Sequence, residues 1–157
     1  MTTYTDSARA VSTPTLQSVA DKASTLAWPI VRIAAGLMLI PHGAQKLFGW
    51  FGGYGLEATG QFFETSLGMS PGILMAGAAG AVEFFGGLAL VLGLFTRPAA
   101  LAVAVLLGVA LTVHIPNGFF WTNGGVEYPL MWALVALAIA LRGGGELSLD
   151  KKLGLPF

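Results

Sequence analysis

Apolar residues run almost unbroken through four stretches, 26–47, 73–95, 98–115 and 128–141, and the polar residues between them gather in short clusters. A hydrocarbon core about 30 Å thick takes about 20 residues of helix, so the first three runs reach or approach a membrane span and the fourth is short. Those three leave no polar face to give water, which argues against a water-soluble bundle. Proline in Ser70-Pro71, Thr96-Arg97-Pro98 and at Pro129 falls where a first helical turn would begin, a place where its missing N–H costs nothing. Glycine-rich 49–55 and 123–125 read as loops. Segment 56–68 sets Phe62, Phe63 and Leu67 beside Glu57 and Glu64, a mixture that fits either a helix lying in the membrane interface or a solvated loop.

The pattern predicts an all-α fold, an integral-membrane four-helix bundle over residues 26–143. Residues 1–25 are expected as a flexible cytoplasmic tail and 144–157 as a cytoplasmic C-terminal tail. The first 25 residues lack the apolar stretch and cleavage site of a signal peptide, so the first span is expected to serve as an uncleaved targeting signal. Arg9, Lys22, Arg97, Arg142, Lys151 and Lys152 fall on one side of the spans and Lys46 alone on the other. The positive-inside rule then puts both termini in the cytoplasm. Small residues at 76–81 let neighbouring helices approach closely, within one bundle or across a homodimer.

Composition supports the lipid bilayer as the surroundings and removes several function classes. The chain is 55% hydrophobic and 10% charged, with a mean hydropathy of +0.74. Lys plus Arg equals Asp plus Glu at 8 each, so no basic face is available for nucleic acid. There is no cysteine, which excludes disulfides, thiolate nucleophiles and cysteine-ligated clusters. Glycine patterns for dinucleotides or nucleotide phosphates and the HExxH motif are also missing.

What chemistry remains lies in the few polar residues inside the spans. At about 1.5 Å per residue from the cytoplasmic ends, His42 and His114 stand roughly 24 Å up, Glu127 roughly 22 Å and Glu83 roughly 18 Å, one layer in the outer half. Arg32 stands lower, roughly 9 Å up, where a stretched side chain would pair loosely with Glu83. An ionisable group at such depth needs a partner or a proton, so Glu83 is expected to face the interior. His42, Gln45, Phe48, Gly52 and Gly53 recur 72 residues later as His114, Asn117, Phe120, Gly124 and Gly125, a hint of a duplicated helix pair that would set the two histidines face to face. Pro41 opens a polar seam beside His42, and Trp50, Tyr54, Phe119, Phe120 and Trp121 supply either a pocket rim or an interfacial aromatic belt.

Two ligands suit that layer. A non-haem metal could take His42, His114 and Glu127. A quinone head group could use the histidines and Asn117 as hydrogen-bond partners, Glu83 as a proton shuttle and the aromatic residues as walls.

The stretches RIAAGLMLIPHGAQKLFGWFGG (32–53), LVLGLFTRPAAL (90–101), TVHIPNGFF (112–120) and GGELSLD (144–150), with Glu83 between them, resemble the DoxX family of small four-helix membrane proteins. The resemblance covers residues 26–152. It implies an inner-membrane protein with a redox or sulfur connection, since members are linked to thiosulfate:quinone oxidoreductase as small subunits and to a membrane oxidoreductase complex that includes a sulfurtransferase. The family's polar positions correspond to Arg32, His42, Gln45, Lys46, Glu83, Arg97, His114 and Glu127. The expected function is a redox-linked subunit with Glu83, His42 and His114 as catalytic groups and Arg32, Gln45, Lys46, Asn117, Glu127, Trp50 and Trp121 around the cofactor. Without cysteine, sulfur or thiol oxidation would need a redox partner protein. The alternative is a non-catalytic membrane partner or small-molecule carrier, in which the same polar groups fix helix packing.

Overall fold

The computed structural model describes residues 14–157, and every regular element among them is helical. Helix α1 is Pro14–Phe48, α2 is Gly55–Leu67, α3 is Gly72–Leu92, α4 is Thr96–His114, α5 is Glu127–Arg142 and α6 is the short turn Leu149–Lys152. Apolar backbone that must meet lipid has no water to bond, and helices satisfy it internally. Among the described residues three helices are long and apolar enough to cross a membrane: α1, α3, and α4 with the 3-10 turn that continues it to Asn117. Helix α5 has 16 residues and so spans roughly 24 Å.

Two expectations need correction at the ends. Residues 14–25, read as part of a tail, are the opening turns of α1, because Ser, Asp and Lys in that stretch keep helical geometry and continue straight into the apolar run; residues 1–13 lie outside the described residues. The C-terminal residues 144–157 are also not a tail. They fold back under the bundle, where Ser148 and Asp150 are buried.

Helices α1 and α3 touch backbone to backbone. A Cβ at Gly36 would stand 2.5 Å from the Gly87 carbonyl oxygen, and one at Gly43 only 2.4 Å from the Phe84 nitrogen. Gly80 and Gly87 of α3 repeat the seven-residue spacing of Gly36 and Gly43, so each helix presents both glycines on one face. Helices α4 and α5 form the other tight pair. Ala35, Leu90, Ala100, Val103, Ala136 and Ile139, drawn from all four long helices, make the buried core in the half nearer the C terminus.

That end of the bundle is closed by charged side chains acting as helix caps. Arg32, 1% exposed, donates from Nη1 to the carbonyls of Leu90 and Val91 at the end of α3, and from Nη2 to Leu147 at 2.8 Å. The last carbonyls of a helix have no partner within it and carry partial negative charge, so a guanidinium satisfies both needs. Arg97 does the same for α5, reaching the carbonyls of Ala140, Leu141 and Arg142. At the start of α4, Asp150 accepts from the Phe95 and Thr96 nitrogens at 2.7 and 2.9 Å and from the Thr96 hydroxyl at 2.6 Å. Trp28 ties α1 to this floor by donating to Gly143 at 2.9 Å, with Arg142 stacked over its ring.

Candidate functional site

Toward the opposite end the four long helices part and leave a chamber of about 600 Å³. Its walls are mainly aliphatic and aromatic, among them Leu39, Leu107, Val113 and Trp132, and Phe62, Phe63 and Leu67 of α2 close one side. Segment 56–68 is thus the helix of the two alternatives the sequence left open. Two histidines, a lysine and a carboxylate line the chamber: His42 and Lys46 from α1, Glu83 from α3 and His114 from α4.

Glu83 owes its position to a fault in α3. Residues Val82–Gly86 form a π-helical turn, an extra residue accommodated in the hydrogen-bond ladder, and Glu83 sits inside it. The Lys46 ammonium donates to both of its carboxylate oxygens, at 2.8 and 2.7 Å. The side chains remain 24% and 12% exposed respectively, so the pair borders open space and is not sealed in the core. Charges this close in an apolar wall neutralise one another at long range while keeping a short path for proton transfer.

The histidines differ. His42 is exposed and precedes Lys46 by one helical turn, on the same face of α1. His114 ends α4, and its Nδ1 lies 2.5 Å from the Gly124 carbonyl oxygen. A carbonyl only accepts, so Nδ1 carries a proton and a neutral His114 keeps Nε2 as its free acceptor. Gly124 comes within reach because residues 118–127 double back, with Val126 bonded to Gly118 and Glu127 to Phe119. On that loop Trp121 stacks flat on Tyr128, with 5.5 Å between ring centres and 8° between planes, and both rings line the chamber.

Of the candidate catalytic, cofactor and metal residues, His42, Lys46, Glu83, His114 and Trp121 are brought to one cavity, and Arg32, Gln45, Trp50, Asn117 and Glu127 go elsewhere. Arg32 does not pair with Glu83; it caps α3 at the far end, because the free carbonyls there are nearer than any carboxylate of the chamber. Glu127 turns to the Trp121 nitrogen at 3.0 Å, Asn117 to the Gly124 carbonyl at 3.2 Å and Trp50 to the Phe48 ring at 4.9 Å. Gln45 reaches the Phe51 carbonyl at 3.3 Å, outside the chamber. The expected metal set of His42, His114 and Glu127 is therefore not assembled, and among the described residues no three histidine or carboxylate groups converge as a metal site requires. The role of Lys46 as partner of Glu83 was missed, since uniform heights along straight helices separate the two. The available signal was that Glu83 is the sole carboxylate within its run and Lys46 the sole cation on that side.

The DoxX family profile matches residues 27–116. The chain is 31% identical over 122 residues to the Bacillus subtilis protein named "Putative oxidoreductase CatD", covering 77% of this chain and 82% of that one. It is 34% identical over 133 residues to inner membrane protein YphA of Escherichia coli, covering 78% and 87%. No solved structure matches. The profile takes in α1 from residue 27 onward, α2, α3 and the whole of α4, so His42, Lys46, Glu83 and His114 of the chamber all fall within the matched region and the chain belongs to the DoxX family.

Proposed function

We propose that this membrane protein is a redox-linked subunit of the bacterial inner membrane that holds a quinone head group in the chamber, with Glu83 as its proton donor and acceptor. In this reading all four long helices span the bilayer, α5 with help from its flanking residues, and both termini face the cytoplasm. Arg97, Arg142, Lys151 and Lys152 near the floor and Lys46 alone at the other end support that orientation. The observation that carries the proposal is a mainly apolar cavity, large enough for a ring, with one carboxylate–ammonium pair and two imidazoles in its wall.

A quinone, when bound, supplies two-electron chemistry between ring carbonyls and hydroxyls. The donor set suits it. Lys46 has a third N–H beyond the two engaged by Glu83, available to a carbonyl oxygen, and His114 Nε2 can accept from a hydroxyl. Glu83 takes or returns the proton with Lys46 holding it in place, while Leu39, Leu107 and Trp132 exclude water and pack the ring faces. Electrons, and any sulfur or thiol substrate, would come through a partner protein, because the chain has no cysteine. The oxidoreductase name of the CatD relative is consistent with this assignment.

Glu83→Gln should lower quinone-linked turnover by about a hundredfold, measured in membranes that retain the partner proteins, while leaving expression and detergent stability intact. Full activity in that variant would remove the proton role. Folded protein in quinone-containing nanodiscs that neither retains nor binds quinone would remove the ligand. A carrier of an apolar molecule is the second reading, favoured by a carboxylate already neutralised by Lys46. Replacing His42 with alanine separates the two: loss of ligand with the fold kept supports the redox site, and loss of folding supports a packing role.

A further inference from the structure

A second cavity, of about 540 Å³, adjoins the chamber on the side of the loop after α1. It is bounded by Gln45, Gly52, Gly53, Tyr54 and Thr59, a more polar set than the chamber's. Phe62, Phe63 and Lys46 line both spaces. The two phenylalanines therefore form a partition, and Lys46 passes it. The loop forming the outer wall is pinned: Gln45 donates to Phe51, and Gly53 packs so tightly on Gln45 that a Cβ would stand 2.4 Å from its Cα. Tyr54, 86% exposed, stands on that loop at the cavity's edge.

We propose that this second cavity is a water-filled antechamber through which Glu83 exchanges protons with the aqueous phase at the Lys46 end, Lys46 being the relay. The proposal rests on the reading of Glu83 as a proton carrier but does not require that the ligand be a quinone. The step balances within the pair. A Lys46 N–H bond breaks and a Glu83 O–H bond forms, leaving neutral amine and neutral acid; the amine then takes a proton from hydronium in the antechamber, and the acid passes its proton into the chamber. A long amphipathic stem suits Lys46 to this, since its methylenes lie along apolar wall while its ammonium stays near water. Retained water on one member also explains how an ion pair is tolerated so near the chamber, where full desolvation of both charges would cost several kcal/mol.

The full chain, naturally free of cysteine, allows a direct test in sealed proteoliposomes of known orientation. Thr59→Cys in the antechamber should react with a membrane-impermeant maleimide added on the side opposite the C terminus. Ala110→Cys in the chamber should react only with a permeant one, and adding Phe63→Ala should speed its impermeant labelling at least tenfold. Dicyclohexylcarbodiimide, which attacks protonated carboxyls, should modify Glu83 faster when pH is lowered on that same side and respond little to the C-terminal side. Lys46→Met should erase the side preference and Lys46→Arg should not restore it, since a guanidinium holds its protons; a merely structural cation would be replaced by arginine. Modification that follows pH on the C-terminal side, or Thr59→Cys that is blind to the impermeant reagent in protein shown to be folded by gel filtration, overturns the antechamber while leaving the chamber's ligand untouched. Failure to bind quinone with the side preference intact would overturn only the ligand.

Discussion

Asp150→Ala is expected to destabilise the protein by about 3–5 kcal/mol, the range for removing one partner from a buried charged network. Asp150 is 1% exposed and holds three donors at once: the backbone nitrogens of Phe95 and Thr96 and the Thr96 hydroxyl, itself fully buried. Without the carboxylate those donors stay buried with no acceptor, and the Phe95 backbone, at φ 48, loses the bond that holds it in a left-handed conformation. The same segment carries Leu147, whose carbonyl serves Arg32, so the floor should loosen as a unit. Unfolding in mixed micelles of graded denaturing detergent would measure it. A loss below about 1 kcal/mol would mean that the C-terminal segment is an ornament on the bundle and not part of its fold.

Gly43→Val should prevent stable assembly outright. The first carbon of the new side chain would lie 2.4 Å from the Phe84 nitrogen and 2.7 Å from the Gly80 carbonyl oxygen, both backbone atoms that no rotamer can avoid. Helices α1 and α3 must then separate beside the π-helical turn that carries Glu83, and Lys46, one turn further along α1, moves with them. The expected result is protein that is degraded in the membrane or extracted as aggregate, measured as monodisperse yield. Gly108→Val is the control, because nothing lies within 4 Å of its added carbon; near-normal yield from Gly43→Val would show that the helix contact is looser than described.

The helical runs were legible because in apolar surroundings the backbone has one local solution, and Pro71, Pro98 and Pro129 fall within a residue or two of the helix starts they mark. That His42, Glu83 and His114 share a cavity was legible from their depth along the spans. Arg32 was misplaced because its partners are the carbonyls of Leu90, Val91 and Leu147, and backbone acceptors leave no mark in a residue sequence. Glu127 was misplaced for a similar reason, since its target is the Trp121 nitrogen in a loop whose path depends on Gly118 and Gly125.

By itself, then, the chain's order of apolar and polar residues determined an all-helical membrane protein with a sparse set of ionisable groups within its apolar runs, because burying backbone and charge in hydrocarbon is governed by rules that act on each segment alone. Tertiary structure decided the pairings. Lys46 meets Glu83 because glycines 36, 43, 80 and 87 draw two backbones together and a π-helical turn rotates one side chain, a distance set by contacts between segments far apart in sequence. The floor built by Arg32 and Asp150 arises in the same way, from a C-terminal stretch that finds its acceptors and donors only once the helix ends have gathered.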